Sequence, residues 1–182
     1  APQTPRSAQL ASVHRSLREQ APLVQCLTNY VSMDLVANLL NAAGASPAMV
    51  HDDHEAGEMA ALASAVVVNI GTPSPPWVSG MHAAASVAHS RGIPWVLDPV
   101  AVGALSLRTD FAREIVALSP AAIRGNASEI RALAGESTGG RGVDTTDSVH
   151  DALNAAVALA RQSGAVVAVT GDTLADLAER HL

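Results

Sequence analysis

Aromatic rings are scarce in this 182-residue sequence: two Trp, one Tyr and one Phe make up 2% of it. A core with so few large rings has to be built from Ala, Val, Leu and Ile, which suit close packing of helices on a sheet. Cysteine is almost absent. The single thiol, Cys26, excludes an internal disulfide, argues against a zinc site and points to a reducing cytoplasm. No apolar run approaches the length that spans a bilayer. Positive charge is also short, with 11 basic against 17 acidic residues and a net charge of −6. That sign disfavours nucleic acid and anionic membranes as partners, so an anionic substrate needs local positive charge or a metal ion. Residues 1–6 lack the apolar segment of a signal peptide and read as a flexible lead-in to one domain over residues 1–182.

What remains is apolar residues, 48% of the chain, set either at helical spacing or in short continuous runs. Leu10, Val13 and Leu17 share one helical face over residues 7–20, a helix expected to pack on the sheet. Residues 22–27 read as a strand closed by Thr28 and Asn29, within which Cys26 is a small buried hydrophobe with no neighbouring base. Met33, Val36, Leu39, Leu40 and Ala43 then recur at helical spacing before Gly44, a left-handed C-cap, and Pro47 makes residues 45–50 an edge strand. The continuous apolar run 65–70 predicts a parallel strand covered on both faces, ended by Gly71-Thr72. Pro75-Pro76 opens a helix that buries Trp77, Met81, Ala84, Ala85 and Ala88 and stops at Gly92. A strand over 94–97 runs into Asp98-Pro99, a helix follows around residues 108–118, and a further strand reaches Arg124. Gly139-Gly140-Arg141-Gly142 matches neither GxxxxGK[ST] nor GxGxxG and reads as a surface loop. Thr146 or Ser148 is the expected cap of a helix through Ala152, Ala155, Ala156, Leu159 and Ala160, before a last strand over 165–169.

Two groups of residues invite chemistry. His51-Asp52-Asp53-His54-Glu55 offers metal-ligating side chains, but neighbouring loop residues point in different directions and lack the i,i+4 geometry of paired histidine ligands. A solvated helix start, with its acids in the first turn, explains them without an ion. The second group is Ala122-Ile123-Arg124-Gly125-Asn126-Ala127-Ser128-Glu129-Ile130, where an apolar run ends in charge, glycine and a capping-box pattern. Capping alone accounts for Asn126 and Glu129. A second reading stays open beside it, because Arg124 at the carboxyl end of a strand meets phosphate and a carboxylate there suits magnesium. Successive strands in fact end in Thr28-Asn29, Asn69 to Thr72, Asp98, Arg124 to Asn126 and Thr170 to Asp172, giving one polar sheet edge. Such an edge suits a metal-nucleotide or a phosphorylated ligand.

These stretches resemble the hydroxyethylthiazole kinase family of the ribokinase-like superfamily. The resemblance rests on Leu27-Thr28-Asn29-Tyr30-Val31, Gly44-Ala45-Ser46-Pro47-Ala48-Met49, Asn69-Ile70-Gly71-Thr72, Leu97-Asp98-Pro99-Val100, the Arg124 to Ile130 stretch and Val169-Thr170-Gly171. It implies a three-layer α/β fold, a mostly parallel sheet with helices on both faces, and transfer of the ATP γ-phosphoryl group to 4-methyl-5-(2-hydroxyethyl)thiazole in thiamine salvage. It further implies that Met49, with Asn29 and Gly71 nearby, contacts the thiazole. Arg124 and Thr170 would hold ATP, and Asp98 and Glu129 would serve Mg2+. A cytoplasmic homotrimer with the pocket at a subunit interface is the family expectation. Nothing here matches the family's later Gly-Thr-Gly-Cys segment, which supplies the catalytic corner. The expectation is therefore of a chain truncated at its C-terminus, with a thiazole- or nucleotide-binding fragment, or another ribokinase-like small-alcohol kinase, as the alternatives. The tail 173–182 has the composition of a helix, where the family would place strands.

Overall fold

In a computed structural model, residues 5–135, 152–171 and 175–177 are described. The chain opens with α1 (Pro5–Gln20), β1 (Leu23–Leu27), α2 (Met33–Ala43), β2 (Ser46–Ala48) and α3 (Ala56–Leu62). It continues through β3 (Ala65–Asn69), α4 (Pro75–Arg91), β4 (Trp95–Asp98), α5 (Ser106–Val116), β5 (Ala122–Asn126) and α6 (Ala127–Leu133). After the segment outside the described residues come α7 (Leu153–Ser163), β6 (Val166–Thr170) and β7 (Ala175–Leu177). One sheet takes the order β2-β1-β3-β4-β5-β6-β7. Its first six members run parallel, and β7 pairs antiparallel with β6.

Alternation along the strands sorts side chains onto two unlike faces. Val66, Val68, Trp95, Leu97, Ile123, Val167 and Val169 point to one face and merge with apolar residues of α3 to α7 into a single buried core. Small side chains make this possible: Ala84, Ala85 and Ala88 let α4 lie close to the strands. The opposite face is covered over β1 by α1 and α2, where Val24, Cys26 and Ala45 form a smaller cluster joined by Leu17, Val36, Leu40, Met49 and Val67. Toward β4, β5 and β6 that face is thinner, with Val96, Ala122 and Ala168 half-buried and Arg124 exposed. The sheet is thus three-layered, as expected, but the run 65–70 is not covered equally on both sides. Its Val67 is only half-buried, at the margin of the smaller cluster that α1 and α2 cover over β1.

Other differences from the sequence reading have local causes. Instead of lying on the sheet, α1 leaves Leu10 and Val13 at 70% and 63% exposure, and only Leu17 reaches the smaller cluster. It is anchored to α2 by Arg18, whose Nη2 donates to the Ala42 carbonyl at 2.9 Å. The same crossing explains Gly44, which has φ 104° and where a Cβ would stand 2.6 Å from Arg18 Cγ. The acids expected in a first helical turn, Asp52 and Asp53, precede α3, whose first-turn acid is Glu58. Of the lead-in 1–6, residues 5 and 6 already belong to α1 and residues 1–4 lie outside the described residues, as do Gly139 to Gly142, Thr146 and Ser148. Helix α7 begins at Leu153 with Ala152 in the cap position. In the tail, residues 175–177 are strand despite their helical composition, because pairing with β6 uses that strand's outer backbone groups.

Candidate active site

Strand order reverses between β1 and β3: the chain leaves β1 toward β2 on one side, then returns past β1 to β3 and proceeds to β6 on the other. In an open parallel sheet, such a reversal parts the crossover connections and opens a crevice at the carboxyl ends of the strands. A chain of polar side chains starts at this crevice. Asn29, just past β1, accepts the backbone N–H groups of Val31 and Ser32 on its Oδ1, both at 3.0 Å, which fixes the turn into α2. Its Nδ2 is thereby left facing β3 and donates to Asn69 Oδ1 at 2.6 Å. Asn69 Nδ2 donates onward to Asp98 Oδ2 at 2.8 Å, and Arg124 Nη1 meets that oxygen at 3.3 Å. Four side chains from four loops or strands are linked across the sheet edge. Gly71 belongs to the same group, since its N–H donates to Asn69 Oδ1 at 3.0 Å and a Cβ there would lie 2.7 Å from Asn29 Nδ2.

The second half of the site is the turn from β5 into α6. Asn126 Oδ1 accepts from Glu129 N and Glu129 Oε2 accepts from Asn126 N, both at 2.9 Å, so the capping box is complete. Glu129 does more than cap. Its other oxygen, Oε1, accepts the Ala101 N–H at 2.8 Å, tying the loop after β4 to the start of α6. Ala101 is held at φ 60°, a left-handed conformation that costs a non-glycine residue about 1 kcal/mol or more and is kept here by that bond. Glu129 is 8% exposed, and Asp98 lies close enough to feel its charge. Burial pushes the Asp98 carboxyl above its ordinary range; Arg124 pulls it down, Glu129 raises it, and the Asn69 hydrogen bond lowers it. Two neighbouring carboxylates with an exposed guanidinium beside them form an oxygen-only donor set. That set fits magnesium, which is held through one or two carboxylates together with substrate phosphates and water. It does not resemble a zinc site, which recruits nitrogen and sulfur.

The structure brings Asn29, Gly71, Asp98, Arg124 and Glu129 to one edge, and sheet register sets Thr170 beside Asn126. Met49 follows edge strand β2 and is half-buried against the smaller apolar cluster. Cys26 is 1% exposed and burial pushes its thiol up to about 11, so it is the inert core residue its sequence context implies. Asp52, Asp53 and His54 do place three donor atoms within 4.8 Å of one another, but all three residues are exposed. Sequence reasoning gave no role to Asn69, although a polar residue ending an apolar strand was a signal for one. It also missed the ring cluster beside the crevice, in which Trp77 lies 4.7 Å from Tyr30 and 4.3 Å from His51 between ring centroids.

Known proteins resemble this chain in sequence and fold. The family model described as "Hydroxyethylthiazole kinase family" matches residues 14–178. A hydroxyethylthiazole kinase of Cereibacter sphaeroides is 61% identical over 156 residues, covering 86% of this chain and 60% of that protein. One from Cronobacter sakazakii is 60% identical over 162 residues, covering 89% and 61%. Among solved structures, hydroxyethylthiazole kinase from Pyrococcus horikoshii OT3 superposes with a TM-score of 0.79 at 40% identity, covering 90% of this chain and 61% of that one. The chain therefore spans about 60% of the length of these relatives. A match over most of the chain, the level of identity and the shared fold lead to one conclusion: the chain belongs to the hydroxyethylthiazole kinase family.

Proposed function

We propose that this protein is a hydroxyethylthiazole kinase of thiamine salvage, which transfers the γ-phosphoryl group of ATP to the hydroxyl of 4-methyl-5-(2-hydroxyethyl)thiazole. The observation that carries this reading is the continuous polar chain Asn29, Asn69, Asp98 and Arg124 at the reversal point of the sheet, joined to family membership. Phosphoryl transfer asks a protein mainly to hold oxygens in line and neutralise charge. Arg124, exposed at the edge, offers a planar fork of donors to nucleotide phosphate, and Thr170 a hydroxyl next to Asn126. Asp98 and Glu129 would hold Mg2+, which when bound offsets phosphate charge. On the alcohol side, Asn29 and Gly71, linked through Asn69 at the reversal point, and the half-buried Met49 after β2 would contact the thiazole ring.

A single domain over the whole chain, a cytoplasmic setting and a homotrimer complete the proposal. No described helix is long and apolar enough to cross a membrane. The test of the activity is mass-spectrometric detection of the phosphorylated alcohol after incubation with Mg-ATP. Sedimentation tests the assembly, with a trimer expected and a concentration-independent monomer contradicting it. Saturable binding of the thiazole without product would instead favour a binding role, and preference for another small alcohol in competition would reassign the substrate.

A further inference from the structure

We propose that Asn69 is a positioning residue whose one amide sets both halves of the site, orienting Asn29 on the alcohol side through its oxygen and Asp98 on the phosphate side through its nitrogen. The inference rests on the kinase reading for its chemistry, but its geometry stands alone. An amide's oxygen and nitrogen are told apart by what their neighbours demand. The Gly71 N–H, 3.0 Å from Asn69 Oδ1, can only donate, so that atom is the oxygen. The Val31 and Ser32 N–H groups likewise fix Asn29 Oδ1, which leaves Asn29 Nδ2 to donate to Asn69. Asn69 Nδ2 is then directed at Asp98 Oδ2, an acceptor. Backbone donors on two loops thus lock the polarity of the whole chain, and each of its two amides has one permitted orientation.

The place of Asn69 gives this polarity its use. It is the last residue of β3, level with Asp98 in the sheet register, and its partners come from the two sides of the point where strand order reverses. No other described residue bonds both Asn29 and Asp98. Aspartate at this position would keep the acceptor for Asn29 and Gly71 but set a carboxylate against Asp98. Alanine would remove both functions. The two substitutions therefore separate the two halves, which a residue serving only stability would not do.

The experiment compares wild type, Asn69→Asp and Asn69→Ala by steady-state kinetics with Mg-ATP and hydroxyethylthiazole, alongside 1H–15N spectra of the Asn29 side-chain amide. Positioning through an outer hydrogen bond is worth about 10–100-fold, so Asn69→Asp is expected to lower kcat in that range while the KM for the alcohol stays within about 3-fold. Asn69→Ala is expected to lower kcat and also raise the alcohol KM. In the spectra, the Asn29 amide signal should keep its hydrogen-bonded position in Asn69→Asp and lose it in Asn69→Ala. The spectra need no turnover, so an inactive wild type would count against the kinase reading while the Asn29 signal still decides the role of Asn69. An unmoved Asn29 signal in Asn69→Ala, or equal changes of kcat and KM in both variants, would overturn the proposal. Should Asn69→Ala fail to fold, the near-isosteric Asn69→Asp decides by its split between kcat and KM and by its Asn29 signal.

Discussion

Two helix starts in this protein carry acidic residues, and they behave in opposite ways. Before α3, Asp52, Asp53 and His54 crowd their donor atoms within 4.8 Å, yet they stand in solvent and bond chiefly to one another. At the start of α6, a single carboxylate, Glu129, is buried and divides its two oxygens between the N–H groups of Asn126 and of Ala101, the latter 28 residues from Glu129 in sequence. The first turn has more ligating atoms; the second has position. It lies at the carboxyl edge of the sheet, next to Asp98 and Arg124, where crossover geometry leaves room for a ligand. Density of donors is therefore a weaker guide to a site than burial and topology, because exposed charges are already well served by water.

Substitutions should sharpen this contrast. Glu129→Ala is expected to have the largest effect: turnover falls at least about 100-fold through disordered phosphate-side geometry. Stability falls by about 3 kcal/mol because two backbone donors lose a charged acceptor. Kinetics and denaturant unfolding measure the two losses, and a stable, active variant would erase the distinction between the turns. Arg124→Ala should lower turnover about 100-fold or more by removing charge from the developing phosphoryl group. Its unfolding midpoint should fall only modestly, since Arg124 itself is exposed while the mostly buried Asp98 loses a counter-charge but keeps its Asn69 hydrogen bond. Asn126→Ala should cost about 1–2 kcal/mol in unfolding free energy as the cap is lost.

The triple substitution of Asp52, Asp53 and His54 by alanine should change least, leaving turnover and its metal dependence as they are. Hydrogen bonds from His54 lower the Asp52 pKa, and the bond to Asp52, helped by Asp53, raises that of His54. The stabilisation from Asp52 is present above the ordinary carboxylate range and disappears as pH falls through its lowered pKa. That from His54 is present below the ordinary imidazole range and disappears as pH rises through its raised pKa. Any difference in melting temperature should thus be confined between those two limits. A large effect, or altered metal dependence, would make the exposed turn the functional one.

Much of this was legible in the sequence because it is local. Helical spacing placed α2 and α4, short apolar runs placed β1, β3 and β6, Gly44 and Gly92 ended their helices with positive φ, and the spacing of Asn126 and Glu129 announced the capping box. What was not legible depends on contacts between distant segments. Asn69 draws its meaning from Asn29, 40 residues before it, and Asp98, 29 after it, so its place at a strand end marks it locally but its partners do not follow from any local pattern. Nor can a continuous apolar run say how well each face is covered. Val66 and Val67 read alike in sequence, yet one is buried under α3 to α7 and the other is half-open. Similarly, the apolar stripe of α1 predicted a helix but not that Leu10 and Val13 would stay exposed. The family resemblance supplied the substrate expectation, which spacing alone does not contain.

The most direct test of the central claim, that the edge carrying Arg124, Asp98 and Glu129 serves phosphoryl transfer, is mass-spectrometric detection of phosphorylated hydroxyethylthiazole from purified wild type and Arg124→Ala, each supplied with Mg-ATP. Product formed by wild type and largely lost in Arg124→Ala is the predicted result. Absence of product from wild type, or equal product from both proteins, would contradict it.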